Sequence, residues 1–185
     1  EQQKIINTLR KTKIGYELRQ RPESYGLVKS VITTISEELQ KEDHVVLLED
    51  DCVPSEEFFD FMAKSLEKYK NDNNIATICG TRTKCRFNPW GWATWRNKWN
   101  YHHMTREEIL QIGNLDPSLL NFLKQNDVEG SIWSLSWLAY LYKNNLTSLY
   151  PAKNTIKNIG FENKNSVHNS EKGYTKWLLS QVLID

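Results

Sequence analysis

The sequence contains few of the features that mark cross-linked, zinc-binding or membrane-spanning proteins. Only three of its 185 residues are cysteines, and none of them forms a CxxC pair, so neither a disulfide framework nor a cysteine-based zinc site is expected. No apolar run is long enough to cross a bilayer, and no signal peptide is recognisable. These absences favour a cytoplasmic protein whose cysteines are buried free thiols.

An excess of charge of either sign is also absent. With 24 basic and 23 acidic residues, the formal net charge is +1. This balance gives no electrostatic reason to expect nucleic acid or an anionic membrane as the main partner. The length fits one compact domain, and no linker or internal repeat divides it. We therefore expect a single domain over residues 1–185 that does not bind nucleic acid.

Apolar patterns in the first half of the chain predict an α/β domain. A helical stripe recurs every four residues at Leu27, Val31, Ile35 and Leu39. The unbroken apolar run at residues 44–48 is typical of a buried strand, a helix start follows at residues 54–57, and residues 75–79 resemble the next strand. This succession of strands and helices favours a mainly parallel sheet flanked by helices.

The second half of the chain is less regular and rich in tryptophan. Four of the seven tryptophans lie between residues 90 and 99, in a stretch expected to be a loop. Such a cluster, judged alone, belongs more often to a core than to a sugar-binding platform. Helices are expected to start at Thr105 and Asp116 and to cover residues 131–144, with a strand at residues 146–150.

The sharpest local feature is the acidic run Glu49, Asp50 and Asp51, which follows the apolar strand directly. Ligands of open α/β sheets bind at the carboxyl ends of strands. Adjacent carboxylates repel one another unless a cation compensates, and oxygen ligands suit Mg²⁺ or Mn²⁺, which could then bridge to a diphosphate. On pattern alone, an acidic loop that caps the helix near Ser55 is an equally good interpretation.

Four segments, in order along the chain, carry a resemblance to a known family. They are residues 24–27 (SYGL), residues 45–55 (VVLLEDDCVPS), residues 90–96 (WGWATWR), and residues 150–154 (YPAKN) followed by 158–161 (NIGF). Together they resemble bacterial family-2-like glycosyltransferases of the GT-A fold. The acidic run also resembles the Glu-Asp-Asp motif of N-acetylglucosaminyltransferase I. The resemblance covers roughly residues 14–168, and the Trp-Gly-Trp block is its most specific part.

The resemblance implies a Rossmann-like GT-A domain with two functional halves. Residues 1–80 would bind nucleotide and metal, and residues 81–170 would bind acceptor and sugar. Asp51 would hold Mn²⁺ or Mg²⁺, and His168 would approach the metal or the diphosphate. The residues expected to bind the nucleotide sugar are Glu49, Asp50, Gly26 and Lys29. Those expected to bind sugar or acceptor are Trp90, Gly91, Trp92, Trp95, Trp133 and Asn158.

The chain departs from the family pattern in two respects. Family members begin with a strand that carries part of the nucleotide pocket, and this chain is expected to lack it. Members also place an acid shortly before a Trp-x-x-x-Trp helix, where this sequence has Ser131. An inverting transferase needs a general base for the acceptor hydroxyl, and Glu129 is the preferred candidate, with Asp127 as its neighbour.

These observations predict a metal-dependent, inverting glycosyltransferase. It would move a sugar from a nucleotide-diphosphate sugar, UDP-linked by expectation, to a glycan or glycolipid acceptor. Membrane association would be at most peripheral, at the inner face of a bacterial membrane. Two alternatives stay open: a nucleotide-sugar-binding domain without catalysis, and a metal-dependent phosphohydrolase that uses Asp50 and Asp51. The phosphohydrolase gives no reason for the Trp-Gly-Trp block.

Overall fold

The computed structural model describes residues 7, 11, 15–126, 132–160 and 173–184. Within these residues it contains six helices and six strands. The helices are α1 (Gly26–Lys41), α2 (Glu56–Tyr69), α3 (Arg106–Leu110), α4 (Pro117–Gln125), α5 (Trp133–Lys143) and α6 (Tyr174–Gln181). The strands are β1 (His44–Leu47), β2 (Cys52–Pro54), β3 (Ile75–Cys79), β4 (Trp92–Trp95), β5 (Thr147–Leu149) and β6 (Ile156–Asn158). No described helix is long and apolar enough to span a membrane.

The fold is mixed α/β, as predicted, but the expectation of a mainly parallel sheet is wrong. The main sheet has the strand order β1-β4-β3-β5, in which β4 is antiparallel to both neighbours and only β3 and β5 are parallel. A second sheet pairs β2 and β6 in antiparallel orientation. The error arises at residues 92–95, expected to be part of a loop, which form a strand between β1 and β3.

Several local signals predict their elements correctly. Thr105 starts α3 with a complete capping box, because its hydroxyl accepts from the Glu108 N–H while the Glu108 carboxylate accepts from the Thr105 N–H. Asp116 caps α4, which has Pro117 in its first turn. All three cysteines are free and buried. The predicted helical stripe on α1 is confirmed in part: its C-terminal half is buried, but Leu27 is 62% exposed.

The tryptophans form the centre of the core. Trp92 is fully buried, and its ring lies 5.7 Å from that of Trp133 and 5.0 Å from that of Phe87. Trp95 donates its ring N–H to the carbonyl of Leu66 on α2. Trp99 donates to the Ser36 hydroxyl on α1. The aromatic cluster therefore packs α1, α2 and α5 against the sheet.

Two glycines join the main sheet to the second sheet. The Gly80 N–H donates to the Gly91 carbonyl at 2.7 Å. Gly91 has a φ of +60°, and a Cβ there would lie 2.5 Å from Ile156 on β6. Only a residue without a side chain fits this contact and this backbone conformation. Because the Ile156 side chain packs directly on the Gly80 and Gly91 backbone, β6 lies beside the end of β3 and the start of β4.

Candidate functional site

The acidic run lies in the turn between β1 and β2. The Cys52 N–H donates to the Glu49 carbonyl at 3.0 Å and closes this turn. Cys52 begins β2 and pairs with Asn158 on β6, and the Ile159 N–H donates to the Asp51 carbonyl at 2.8 Å. Two of the segments behind the family resemblance, more than a hundred residues apart, therefore meet through the pairing of β2 with β6.

Glu49 and Asp51, here called the carboxylate pair, form the centre of the site. One ligand atom of each, together with the Cys52 sulfur, lies within 4.8 Å of the others. Asp50 does not belong to this group and is exposed. The family resemblance predicts that Glu49 binds the nucleotide sugar and that Asp51 holds the metal. The geometry instead places both carboxylates where they could hold one ion.

The donor set fits a hard divalent cation. Burial, together with the nearby Asp51 and Glu49, raises the pKa of the Cys52 thiol to about 12, so it is a neutral and weak ligand at physiological pH. Its Sγ lies 3.5 Å from the Asp51 carboxylate, to which it can donate. Two carboxylate oxygens, with positions left for water and phosphate, suit Mg²⁺ or Mn²⁺.

Electrostatics also favour a cation here. Burial and, to a smaller extent, the charges of Asp51 and Asp50 raise the pKa of Glu49 to about 7. At neutral pH without a cation, the Glu49 carboxyl is therefore protonated about half of the time. Two negative charges held close together in this partly buried position destabilise each other. A divalent cation would offset this cost because it stabilises both carboxylates at once.

The Asp51 carboxylate lies against backbone that has room only for glycine. A Cβ at Gly160 would stand 2.3 Å from Asp51 Oδ2 and 3.1 Å from Asn158 Oδ1. The Gly160 N–H donates to that same Asn158 oxygen at 2.8 Å. Asn158 thus holds the Gly160 backbone in place, and the absence of a side chain at Gly160 sets the position of the Asp51 carboxylate.

Gly160→Ala is therefore expected to weaken Mn²⁺ binding by about 10-fold or more, because the added methyl group must displace the Asp51 carboxylate. Calorimetric titration with Mn²⁺ measures the loss, and thermal melting shows whether the variant remains folded. Gly113→Ala is the matched control, since a Cβ there meets nothing within 4 Å. Equal Mn²⁺ affinity of the two variants would show that Gly160 does not position a ligand.

A cavity of about 160 Å³, here called the site cavity, joins the carboxylate pair to aromatic walls. It brings together five residues that the sequence analysis selected from distant segments: Glu49, Asp51, Trp90, Trp133 and Asn158. It also contains residues that the sequence analysis missed, namely Leu27, Pro89, Ile132, Ser134, Tyr174, Thr175 and Leu178. Nothing in the sequence of α6 indicates that its first turn lines the same cavity as the acidic run.

Other candidates lie away from this cavity. Trp92 and Trp95 are 0% and 3% exposed and pack in the core. The backbone of Gly91, a predicted sugar-binding residue, lies against the Ile156 side chain. The Lys29 ammonium lies 4.1 Å from the centre of the Tyr25 ring. Asp127, Glu129 and His168, with Ser131, lie outside the described residues.

A larger open cavity of about 690 Å³, here called the outer cavity, shares one lining residue with the site cavity. Residues 18–27 and Ser30 line it, and Leu27 is the shared residue. Gly26, a predicted nucleotide-binding residue, lies in its wall with a φ of +68°. Arg19 pairs with Glu38, and Arg21 pairs with Glu37. The arginine charges of this wall are therefore balanced by acids on α1.

Comparisons with known proteins leave the identification to this geometry, because no family model matches the chain and no curated protein matches its sequence.

Proposed function

We propose that this chain is a glycosyltransferase domain of the GT-A type. It transfers a sugar from a nucleotide-diphosphate sugar, UDP-linked by expectation, to a glycan or glycolipid acceptor. The observation that carries the proposal is the site cavity, where the carboxylate pair meets Trp90, Trp133 and Asn158. A solvated acidic loop would not require these segments to converge on a common cavity.

The carboxylate pair would hold Mn²⁺ or Mg²⁺. Such a cation supplies charge stabilisation to the diphosphate as it leaves the sugar. The chain's own contribution is to hold two carboxylate oxygens close together, with Asp51 placed by Gly160 and Asn158. Since pairing of β2 with β6 builds this arrangement, the ligands are positioned before a substrate arrives.

The aromatic side of the cavity suits a sugar ring. Trp90 and Trp133 line it although they are only 8% and 3% exposed, and indole faces pack well against the apolar faces of sugars. Among the described residues, the Asn158 amide N–H makes only a long contact, 3.9 Å, with the Cys52 sulfur. It therefore remains able to donate a hydrogen bond to a sugar hydroxyl.

The two cavities differ in volume, and each can therefore hold a different part of the nucleotide-sugar donor. Sites for whole cofactor-sized ligands occupy roughly 300–1,000 Å³, so a cavity of about 160 Å³ is too small for a complete nucleotide sugar. The outer cavity of about 690 Å³ is large enough for a nucleoside. The donor would then extend past Leu27, with its base outside and its diphosphate and sugar at the carboxylate pair.

One observation favours the second candidate, a domain that binds nucleotide sugars without transferring them. Among the described residues that line the site cavity, Glu49 and Asp51 are the only acids, and both are assigned to the cation. An inverting transferase needs a further base, for which Glu129 and Asp127 are the sequence candidates. Turnover therefore has to be measured separately from binding.

The test is calorimetric titration with UDP in the presence of Mn²⁺, Mg²⁺ or chelator. We expect binding that requires the cation and disappears in Asp51→Ala. Asp60→Ala is the matched control, because Asp60 is an exposed acid on α2 paired only with Lys64 among its described contacts. Absence of cation-dependent binding to any nucleoside diphosphate would refute the proposal.

Incubation with UDP-sugars then separates the two candidates. Release of UDP that depends on Asp51 and increases with a glycan acceptor is expected for a transferase. Cation-dependent binding without UDP release would instead establish the non-catalytic domain. Phosphate release from simple phosphate esters would favour the phosphohydrolase.

A further inference from the structure

Leu27 is the one described residue that lines both the site cavity and the outer cavity. It lies in the first turn of α1, directly after Gly26, whose φ of +68° starts that helix. A single exposed leucine is ordinary on a protein surface, so the 62% exposure of Leu27 alone indicates nothing. Its place on the wall of both cavities is more informative, because a ligand that fills the two must pass this side chain.

Leu27 also continues the apolar stripe of α1 beyond the end of the core. Ile35 and Leu39 on this stripe are 0% and 4% exposed, and Val31 is partly buried against the core. Residues four apart lie on the same face of a helix, so Leu27 belongs to the core-facing side of α1. Its side chain lines the two cavities instead of packing in the core. A ligand in these cavities would therefore bury Leu27, much as the core buries Ile35.

The charges of the outer cavity indicate which part of a donor fits there. Arg21 makes two hydrogen bonds to Glu37, of 3.0 and 2.6 Å, and Arg19 pairs with Glu38 on the same helix. Both guanidinium groups therefore have carboxylate partners without a phosphate. Glu23, the one acid among the described lining residues, would repel a phosphate. The outer cavity thus suits the uncharged nucleoside better than the diphosphate.

We propose that Leu27 packs against the nucleoside of the donor and gives the site its preference for nucleoside diphosphates over inorganic pyrophosphate. This inference rests on the proposed function and assigns a residue of the chain to donor recognition. The diphosphate lies at the carboxylate pair with the cation, and the nucleoside lies in the outer cavity. Leu27 is then covered where the donor passes from one cavity to the other, and removal of its apolar surface from water favours binding.

The test measures binding of UDP and of pyrophosphate, each with saturating Mn²⁺, to the wild-type chain, Leu27→Ala and Leu27→Met. In Leu27→Ala the dissociation constant for UDP should rise about 10-fold, because most of the apolar contact is lost. The dissociation constant for pyrophosphate should stay the same. Leu27→Met keeps an apolar side chain of similar volume and should bind both ligands like the wild type. The melting temperature and the affinity for Mn²⁺ alone should be unchanged in both variants.

Leu179→Ala is the matched control, since Leu179 is a 41% exposed leucine on α6 that lines neither cavity. If Leu27→Ala binds UDP as tightly as Leu179→Ala, the role of Leu27 is refuted, whereas cation-dependent UDP binding by the wild type would leave the proposed function standing. Equal weakening of UDP and pyrophosphate binding in Leu27→Ala would also refute it, because a nucleoside contact does not act on pyrophosphate. Absence of cation-dependent UDP binding to the wild-type chain would instead overturn the proposed function itself.

Discussion

Trp92→Ala is expected to lower the free energy of unfolding by about 3–5 kcal/mol, the usual range for removal of a fully buried large aromatic side chain. Trp92 is 0% exposed and lies at the centre of the aromatic cluster. Its ring centre is 5.0–6.3 Å from those of Phe87, Trp133, Trp99 and Trp137. Trp133 and Trp137 are held by α5 and cannot collapse into the space that alanine would leave.

For a chain of this length, such a loss corresponds to a melting temperature lower by roughly 6–20 °C. Thermal and denaturant unfolding followed by circular dichroism measure it. Phe59→Ala is the control, because Phe59 is 57% exposed and its loss should change the free energy by less than about 1 kcal/mol. If Trp92→Ala melts like Phe59→Ala, Trp92 is not part of the core. Weaker binding of a UDP-sugar with unchanged binding of UDP in folded Trp92→Ala would restore its predicted sugar-binding role.

This tryptophan shows where sequence reasoning reaches its limit. The Trp-Gly-Trp block stands out in the sequence, but the pattern does not say which ring faces a ligand. Trp90 lines the site cavity, whereas Trp92, two residues later, is enclosed by the core. The difference depends on α5 packing against β4, a contact between segments about forty residues apart in the chain.

The prediction of a mainly parallel sheet is wrong for a related reason. The apolar runs of β1 and β3 were recognised, because branched residues bounded by polar ones are a local signal. Strand β4 has four buried residues and therefore no alternation, and it follows Gly91 in a stretch that resembles a loop. Its insertion between β1 and β3, which sets the antiparallel order, is decided by long-range pairing.

The candidate site was predictable in its parts but not in its assembly. The acidic run and Asn158 were selected from separate motifs, and the pairing of Cys52 with Asn158 brings them together. The contribution of α6 had no local signal, since Tyr174 and Thr175 follow a polar stretch with no marked pattern. Functional residues that act through tertiary contacts therefore require the structure.

The second large effect is expected from the pH dependence of the carboxylate pair. In the cation-free protein, burial raises the pKa of Glu49 from 4.5 to about 7, so the folded state binds this proton more tightly than the unfolded state. This tighter proton binding contributes to the free energy of unfolding. The contribution is fully present below pH 4.5 and is lost as the pH rises through 7. The difference amounts to about 3 kcal/mol, at 1.36 kcal/mol per pKa unit.

Glu49→Gln isolates this contribution, because glutamine cannot ionise. Without cation, the stability of the wild-type chain should fall relative to Glu49→Gln between about pH 5 and pH 7.5. Glu67→Gln is the control, since Glu67 is an exposed acid on α2 and should show the wild-type profile. A constant difference between wild type and Glu49→Gln across this range would refute the raised pKa.

Added Mn²⁺ should reverse the trend, since the cation competes with the proton for Glu49. Below pH 7 its affinity should fall about 10-fold per pH unit, whereas above pH 7 binding should level off. Titrations at several pH values measure this dependence, and in Glu49→Gln both the affinity and its pH dependence should be lower. Mn²⁺ binding unchanged by Glu49→Gln would assign the cation to Asp51 and its remaining neighbours alone. Proton competition of this kind would identify which carboxylates act as one site.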